Sequence, residues 1–285
     1  MLVVGLGEVL WDCLPSGRQL GGAPANFAYH ISQFGLTSFV VSAVGKDDLG
    51  AEIIENLQSK KISFNIPQIE FPTGTVQVTL DGLGVPNYII CENVAWDNIP
   101  FSSQLKELAE NASAVCFGSL AQRSAVSHNT ILSFLNAMPE GSKKVFDINL
   151  RQNYYSKRII SESLSLSDIF KINDEELKVL RGMFNYTSDG EDLCRRIMDD
   201  FNLEMLVLTC GTDGSCVYSS VTNERSFLPT PKVKVADTVG AGDSFTAALV
   251  ASFLQGKSLT DAHRIAVDTS AYVCTQHGAM PSYKK

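Results

Sequence analysis

A glycine-rich run, DTVGAGDSF at residues 237–245, constrains this chain more than any other segment. It predicts a tight turn that opens a helix, because a helix-favouring apolar stretch continues through residues 246–250. Free amide N–H groups at a helix start bind anions, and Gly240 and Gly242 let the backbone approach a phosphate closely. Asp243 adds a carboxylate beside that anion site. The combination is suited to moving a phosphoryl group onto a hydroxyl whose proton the carboxylate accepts.

Composition excludes several classes of protein. The chain has 285 residues, 45% of them hydrophobic and 19% charged, which is typical of a globular protein with one large or two small domains. A net charge of −8 argues against nucleic acid or an anionic membrane as the main partner. The seven cysteines contain no C-x-x-C pair, which favours reduced thiols and a cytoplasmic location over a disulfide framework or structural zinc. The apolar residues 1–10 lack a basic start and predict a buried strand rather than a signal peptide.

Short apolar runs alternate with amphipathic segments along the chain. The apolar runs predict buried strands at residues 2–7, 38–44, 114–117, 144–148, 168–172 and 205–209. The amphipathic segments predict helices at residues 24–34, 49–59, 102–110, 124–137, 174–181 and 191–201. This alternation favours an α/β fold in which a mainly parallel sheet is covered by helices on both faces.

Residues 75–80 and 87–91 break the alternation and predict a β-hairpin joined by turn residues 81–86. Because this hairpin comes early in the chain, we expect it to leave the main layer as part of a small lid. No repeat, low-complexity tract or linker divides the sequence. The prediction is one domain over residues 1–285, with a lid built from about residues 9–20 and 72–97.

Two common nucleotide-binding motifs are absent from the sequence. Gly5 and Gly7 follow the first apolar run, but Leu10 stands where a dinucleotide fingerprint needs its third glycine, so NAD binding is disfavoured. No G-x-x-x-x-G-K-[ST] run exists either. A nucleotide enzyme with this sequence would need another phosphate cradle.

Polar groups follow the first strand in a pattern that suits a small polyol. Asp12, the pair Gly21 and Gly22, and Asn26 could converge on hydroxyl groups, since a buried carboxylate or amide left unpaired is costly. The alternative is that the glycines form a turn and Asn26 caps it locally. On these residues alone, both interpretations stand.

Polar residues also end three of the predicted strands, where open α/β sheets bind their ligands. They occur at residues 147–151, at Asn173 and Glu176, and at residues 209–214. Asn173 and Glu176 have the spacing of a capping box, so helix capping is a strong alternative to a metal–water site over ATP phosphates. The segment 209–214 predicts either a tight hairpin or one wall of a nucleotide site.

Taken together and in this order, these segments are specific enough to indicate a protein family. The chain resembles the ribokinase-like, PfkB-type carbohydrate kinases over essentially its full length, and this resemblance implies a three-layer α/β/α sandwich with a small β lid. DTVGAGDSF resembles the C-terminal signature of that family, and GGAPAN at residues 21–26 resembles its N-terminal sugar-side motif. The narrower similarity is to fructokinases, and it rests on WDCLPSG at 11–17, FGSLAQR at 117–123 and DINLR at 147–151.

The resemblance implies a catalytic role for five residues. Asp243 would be the general base toward the sugar hydroxyl. The backbone amides of Gly240, Ala241 and Gly242 would hold the charge that develops on the transferred phosphoryl group. Arg151 would face the sugar or the transferred phosphate.

The resemblance also implies two binding walls. The sugar side would consist of Asp12, Gly21, Gly22, Asn26 and Asp243, with Trp96 either packing on the sugar or belonging to the core. The nucleotide side would consist of Asn173, Thr209, Gly211, Gly214, Gly240 and Gly242.

ATP and two ions complete the implied site. Glu176, with Asn173, would organise Mg²⁺ through water. Asp237 and Val239 would supply part of a monovalent cation site, for K⁺, with the rest near residues 270–282. The implied partners are a small sugar and ATP, with no nucleic acid or membrane, and a homodimer formed through the lid.

The expected reaction is ATP-dependent phosphorylation of D-fructose. Ribose, 2-keto-3-deoxygluconate or a non-catalytic sugar-binding sensor are the alternatives. A phosphosugar would need extra basic groups, for which Arg18, Arg123 and Arg151 are candidates. The sequence departs from the family at residues 147–149, where DIN stands in place of the common D-P-N, and in the lid segment 92–97.

Overall fold

A computed structural model describes residues 1–14, 17–80 and 86–283. The chain forms the strands β1 (Leu2–Leu6), β2 (Leu10–Leu14), β3 (Gly17–Gly21), β4 (Thr37–Val41), β5 (Val44–Gly45), β6 (Ser63–Asn65), β7 (Gln68–Ile69), β8 (Thr75–Leu80), β9 (Pro86–Ile90), β10 (Ala114–Phe117), β11 (Lys143–Asp147), β12 (Ile169–Asn173), β13 (Met205–Thr209), β14 (Ser215–Ser219) and β15 (Arg225–Leu228). Its α-helices are α1 (Ala23–Gln33), α2 (Asp48–Ser59), α3 (Ser103–Glu110), α4 (Ala125–Ala137), α5 (Lys157–Ser165), α6 (Asp174–Phe184), α7 (Gly190–Phe201), α8 (Ala241–Leu254) and α9 (Leu259–Cys274).

The main sheet has the strand order β15-β14-β13-β12-β11-β10-β1-β4-β6. From β13 to β6 every neighbouring pair is parallel, while β14 is antiparallel to both of its neighbours. The parallel part confirms the α/β architecture that the alternating segments predict.

Two helical layers bury the two faces of this sheet, because successive strand residues point to opposite sides. Val4 and Phe146 face a core shared with α3 to α7. Their neighbours Val3 and Val145 face the other core, which contains residues of α1, α8 and α9. The three-layer sandwich follows from strands that are apolar at consecutive positions.

The strands β3-β2-β8-β9, in that order, form a second hydrogen-bonded sheet that is separate from the main one. β2 is antiparallel to β3 and parallel to β8, and the Trp11 N–H donates to the Gly74 carbonyl at 3.0 Å. The sequence predicts the β8–β9 hairpin but not β2 and β3 as strands. Turn residues 81–85, and residues 15 and 16 of the WDCLPSG segment, lie outside the described residues. That this sheet acts as a lid stays a prediction.

The predicted strand 38–44 is wrong in its extent. β4 ends at Val41, and β5 pairs with β7 in a separate two-stranded sheet. The Ser42 N–H donates to Asn65 and the Val44 N–H to Pro67, so the chain changes partners within the apolar run. Pattern alone does not show such a change, because both pieces are buried.

Sequence patterns also missed α5, α9, β14 and β15. The helix α9 packs against α8, and its Ser270 hydroxyl donates to the carbonyl of Ala241 at the start of α8. Within residues 1–14, 17–80 and 86–283, no helix combines the length and apolarity needed to cross a membrane.

Candidate active site

The carboxyl ends of the parallel strands gather the polar residues that the sequence singles out. Thr209 ends β13 and lies opposite Asn173 at the end of β12. Asp147 ends β11, and Glu8 follows β1 further along the same edge. The residues predicted for the nucleotide therefore lie toward one side of this edge, and those predicted for the sugar lie toward the other.

The start of α8 presents unpaired amide groups at this edge. Gly240 precedes the helix with a φ of 78°, and no side chain within residues 1–14, 17–80 and 86–283 caps the helix start. The first N–H groups of a helix have no intrahelical acceptor, so those of Gly242 and Asp243 are free to bind an anion. A methyl group on Gly240 would come within 2.8 Å of the Ala279 backbone, so glycine is required by both conformation and space.

Asp237 ties this turn to the C-terminal segment. Its Oδ1 accepts the Val239 N–H at 3.0 Å, and its Oδ2 accepts the Gly278 N–H at 3.1 Å. The Ser270 hydroxyl donates to the Ala241 carbonyl at 2.9 Å. The segments predicted to share a monovalent cation site therefore meet, while the Asp237 carboxylate holds the loop through its own hydrogen bonds.

Asp243 lies in the first turn of α8 and accepts a hydrogen bond from Asn26 of α1. The Asn26 Nδ2 donates to the Asp243 Oδ2 at 2.7 Å. Removal from water, and next the negative charge of Asp147, raise the pKa of Asp243 to about 6, against the Asn26 hydrogen bond, which lowers it. The carboxyl group is thus ionised at neutral pH, yet it has become more basic than an ordinary aspartate.

Glu8 is a site residue that the sequence analysis missed. It is 4% exposed, and its Oε2 has no hydrogen-bond partner among the described residues. Its pKa is raised to about 7, mainly by burial; the charge of Asp243 contributes to the rise, and the charge of Arg151 opposes it. The signal was available, since Glu8 is a charged residue directly after an apolar strand, as are the polar residues noted at the other strand ends.

Asp12 and Arg151 lie on the side of the cleft where the sugar is predicted to bind. A methyl group on Gly21 would lie 2.4 Å from the Asp12 Oδ2, which places that carboxylate against the glycine pair. Burial raises the pKa of Asp12 and the charge of Arg151 lowers it. Because the Arg151 charge also acts on Glu8 and Asp243, its exposed side chain lies near all three carboxylates.

The glycine pair joins β3 to α1, with Gly21 as the last residue of the strand and Gly22 directly before the helix. Gly22 has a φ of 112°, and a side chain there would meet the Glu8 carbonyl oxygen at 2.4 Å. Asn26, by contrast, lies within α1 and points its amide to Asp243 rather than capping the turn. Its Oδ1 is buried and has no partner among the described residues.

Asn173 and Glu176 form the capping box of α6. The Asn173 side chain accepts the Glu176 N–H at 2.8 Å, and the Glu176 Oε2 accepts the Asn173 N–H at 3.0 Å. The Glu176 Oε1 also accepts the Leu150 N–H at 2.9 Å. Each carboxylate oxygen retains a further lone pair, so the capping role leaves room for a bound water.

The segment after β13 forms a tight turn into the antiparallel β14. Gly211 opens a 3-10 turn with a φ of 53°, and the Cys210 N–H donates to the Gly214 carbonyl at 2.8 Å. Thr230 donates to the Gly211 carbonyl at 2.6 Å. Thr209 thus lies beside Asn173, with the turn of Gly211 and Gly214 directly after it, and the role of this segment as a wall of the nucleotide site stays a prediction.

Trp96 is corrected from a sugar-packing candidate to a core residue. It is 0% exposed, and the Arg123 guanidinium stacks 4.0 Å from the centroid of its ring. Arg123 makes a bidentate ion pair with Asp97 at 2.7 and 2.8 Å, and Tyr154 covers its other face at 4.5 Å. Sequence could not separate these roles, because a tryptophan after a strand suits both.

Comparisons with known proteins agree with this geometry. A model of the pfkB family of carbohydrate kinases matches residues 16–285. An uncharacterized sugar kinase of Pyrococcus horikoshii is 29% identical over 277 residues, which are 90% of this chain and 84% of that protein. Its crystal structure has a TM-score of 0.83 at 27% identity, over 98% of this chain and 94% of that one, and another was obtained in complex with ATP.

Two further relatives are named for kinases that phosphorylate different sugars. A fructokinase of Klebsiella pneumoniae is 29% identical over 260 residues, covering 86% of this chain and 82% of that protein. An ATP-dependent 6-phosphofructokinase of Thermoanaerobacterium thermosaccharolyticum is 27% identical over 282 residues, covering 95% and 83%. The resemblance to a sugar-kinase family is thereby shown, while these relatives leave the acceptor sugar open.

Proposed function

The chain belongs to the pfkB family of carbohydrate kinases, and we propose that it transfers the γ-phosphoryl group of ATP to a hydroxyl of D-fructose. The observation that carries this proposal is the arrangement around Asp243. Two buried acceptors, the Glu8 Oε2 and the Asn26 Oδ1, have no partner among the described residues. Unpaired buried acceptors are costly, so a ligand rich in hydroxyl donors would satisfy them.

Asp243 and the amides at the start of α8 divide the chemistry between them. A sugar hydroxyl oxygen would form a bond to the γ-phosphorus while the bond from that phosphorus to the bridging oxygen of ADP breaks. The proton of the hydroxyl passes to Asp243, held by Asn26. The N–H groups at the start of α8, that of Gly242 among them, would stabilise the charge on the transferred group, since donors fixed in advance need no reorganisation. Of the residues 240–242, Ala241 donates its N–H to the Thr238 carbonyl at 3.3 Å and would have to exchange that bond for one to the phosphoryl group.

The ions proposed for the site act around this centre. Mg²⁺ would neutralise charge on the ATP phosphates, and the Glu176 carboxylate fits a role through bound water. K⁺ would bind where the Asp237–Val239 turn meets the C-terminal segment, and would order the glycine-rich loop. Thr209, Gly211 and Gly214 would border the nucleotide.

Charge pairing favours an unphosphorylated sugar over a sugar phosphate. Arg18 is paired with Glu52 at 2.8 Å on the surface, and Arg123 is paired with Asp97 in the core. Of the three arginines considered for a phosphate, Arg151 is the one without an ion pair among the described residues, and it faces three carboxylates. A sugar phosphate in this cleft would meet more negative than positive side chains.

The test is ADP release from ATP and Mg²⁺ with a panel of acceptors: D-fructose, fructose 6-phosphate, ribose and 2-keto-3-deoxygluconate. We expect the highest kcat/KM with fructose. Release with another member of the panel would keep the kinase and replace the sugar. Sugar binding in calorimetry with no ADP release from any member would contradict the proposal and indicate a sensor.

We also propose that two copies associate through the sheet β3-β2-β8-β9. Its edge strands are β3 and β9, and Ile89 on β9 is 49% exposed. Exposed strand edges seek partners. Light scattering after gel filtration should give twice the monomer mass for the wild type and the monomer mass for Ile89→Lys; a monomeric wild type would exclude the dimer.

A further inference from the structure

Lys171 is a buried cation at the centre of the site that no sequence motif pointed to. It lies in β12 directly opposite Asp147 of β11 and is 9% exposed. Its Nζ donates to the Asp147 Oδ1 at 3.0 Å. Such a residue is costly to bury, and removing one partner of a buried pair leaves the other charge uncompensated.

The ion pair continues into the helix that carries Asp243. The Thr246 hydroxyl lies 3.0 Å from the Asp147 Oδ2 and 3.0 Å from the Gly242 carbonyl oxygen. A methyl group on Gly242 would lie 3.2 Å from the Lys171 Nζ. Lys171 and Asp147 therefore lie directly against the first turn of α8, where the phosphoryl group and the sugar hydroxyl would meet.

Asp243 lies among charged groups of both signs. Facing it are Asp147 from β11, Lys171 from β12, Glu8 after β1, Cys116 from β10, Arg151 after β11, and the neutral Asn26 from α1. Of these charges, Asp147 acts most strongly on the pKa of Asp243 and raises it, while Lys171 and Arg151 lower it. Arg151 is exposed to solvent, which screens its charge, whereas Lys171 is not.

We propose that Lys171 is a positioning residue for the phosphoryl transfer, acting through its ion pair with Asp147 to offset the negative charge that Asp147 places beside Asp243. This inference rests on the proposed function of Asp243 as the base. It also rests on the contact between the Lys171 Nζ and the Asp147 Oδ1 and requires no contact between Lys171 and the phosphates. Without Lys171, Asp243 would remain protonated up to a higher pH, so the enzyme would be active over a narrower pH range.

Three variants test the charge balance: Lys171→Met, Asp147→Asn, and the two combined. Two quantities are measured for each, the acidic limb of the pH dependence of kcat/KM and the ¹³C NMR titration of the Asp243 carboxyl group in the free enzyme. We expect Lys171→Met to shift the acidic limb to a higher pH by about one unit, and Asp147→Asn to shift it to a lower pH by about as much. The double variant should return to within about 0.3 unit of the wild type, since it removes both charges.

Shifts of the acidic limb in opposite directions in Lys171→Met and Asp147→Asn would distinguish an electrostatic role of Lys171 from a structural one. A variant that is only destabilised loses kcat, but its acidic limb does not move in the direction that the removed charge dictates. Lys178→Met is the matched control, since Lys178 is an exposed lysine of α6 a short distance along the chain. If Lys171→Met does not fold, the comparison of Asp147→Asn with the double variant decides: the limb should be about one unit higher in the double variant. Equal limbs in that comparison, or a Lys171→Met limb equal to the wild type, would overturn the proposal.

The NMR titration keeps this inference separate from the proposed function. Should no sugar of the panel support ADP release, the substrate proposal fails, while the shifts of the Asp243 titration still test the charge balance. Should fructose be phosphorylated with no shift in any variant, the kinase stands and Lys171 loses its proposed role.

Discussion

The Asn26 Nδ2 donates a hydrogen bond of 2.7 Å to the Asp243 Oδ2 across 217 positions of sequence. It joins the two glycine motifs, because Asn26 belongs to the helix after the first and Asp243 to the helix opened by the second. The carboxylate is thereby held in one orientation, while the Asn26 Oδ1, which has no partner among the described residues, can accept a hydrogen bond from a ligand. Five predictions follow from this site and its surroundings.

Replacing the base should separate turnover from nucleotide binding. Asp243→Asn keeps the size of the side chain and can still accept the Asn26 hydrogen bond, but it cannot take a proton. We expect kcat to fall by about 10²–10⁴-fold, while the Kd for ATP measured by calorimetry stays near the wild-type value. Asp199→Asn, an exposed position of α7, serves as the control. Near-normal turnover in Asp243→Asn would remove the base from the mechanism.

The activity should decline in mild acid. Asp243 must be ionised to accept a proton, and its pKa is raised to about 6. Below that pH the ionised fraction falls, so log kcat/KM should decrease by about one per pH unit. Initial rates between pH 4.5 and 8 at saturating ATP measure this, and a profile flat down to pH 5 would contradict it.

Glu8 should make the protein less stable as the pH rises. Its pKa is raised from 4.5 to about 7, so the folded state holds a proton that the unfolded state has already released between these values. The free energy of unfolding therefore falls from about pH 5 to pH 7. Glu8→Gln should reduce this fall by up to about 3 kcal/mol in urea titrations at pH 5 and pH 8. The exposed Glu55→Gln should leave it unchanged; an equal fall in Glu8→Gln and the wild type would argue against a buried, protonated Glu8.

Two glycines at either end of α8 form a matched pair. Gly240 and Gly256 have φ values of 78° and 77°, but a methyl group meets Ala279 at 2.8 Å only at the first of these positions and nothing within 4 Å at the second. Both alanine variants should lose about 1–2 kcal/mol of stability through backbone strain. Gly240→Ala should in addition lower kcat by at least about tenfold, because the amide groups at the helix start must move. Equal kcat in the two variants would show that the contact with Ala279 does not set the loop.

Arg123 should contribute far more stability than a surface arginine. Its side chain is 7% exposed and that of Asp97 is 5% exposed, so Arg123→Met leaves a buried carboxylate unpaired. We expect a loss of about 3–5 kcal/mol in the free energy of unfolding. Arg158→Met breaks a pair with Glu162 in which the arginine is 64% exposed, and should cost less than about 1 kcal/mol. Similar losses in both variants would contradict the buried stack on Trp96.

Local sequence patterns predicted most strands of the main sheet and identified both glycine motifs. The predicted strands 114–117 and 205–209 match β10 and β13, because consecutive apolar residues are a strong signal for a strand buried on both faces. The break between β4 and β5 was missed because it depends on the pairing of β5 with β7. The strands β2 and β3 were missed although they pair with each other, and the sheet that contains them is completed only by the pairing of β2 with the distant β8. The same limit applies to the site: Trp96 was a candidate on its neighbours in sequence, and its burial under Arg123 became visible only in three dimensions.

The sequence by itself determined the α/β layering and the amide cradle at the start of α8, because both follow from local properties: apolar periodicity, and glycines that allow a positive φ. The tertiary structure alone decided which polar groups share the cleft. Asn26 reaches Asp243, Lys171 pairs with Asp147, and the buried Glu8 keeps one oxygen without a partner in the described part of the chain. Strand order and register bring these groups together, and both depend on packing between segments far apart in sequence. Since the pKa of the candidate base depends on those neighbours, the reactivity of Asp243 is a property of the fold rather than of its motif.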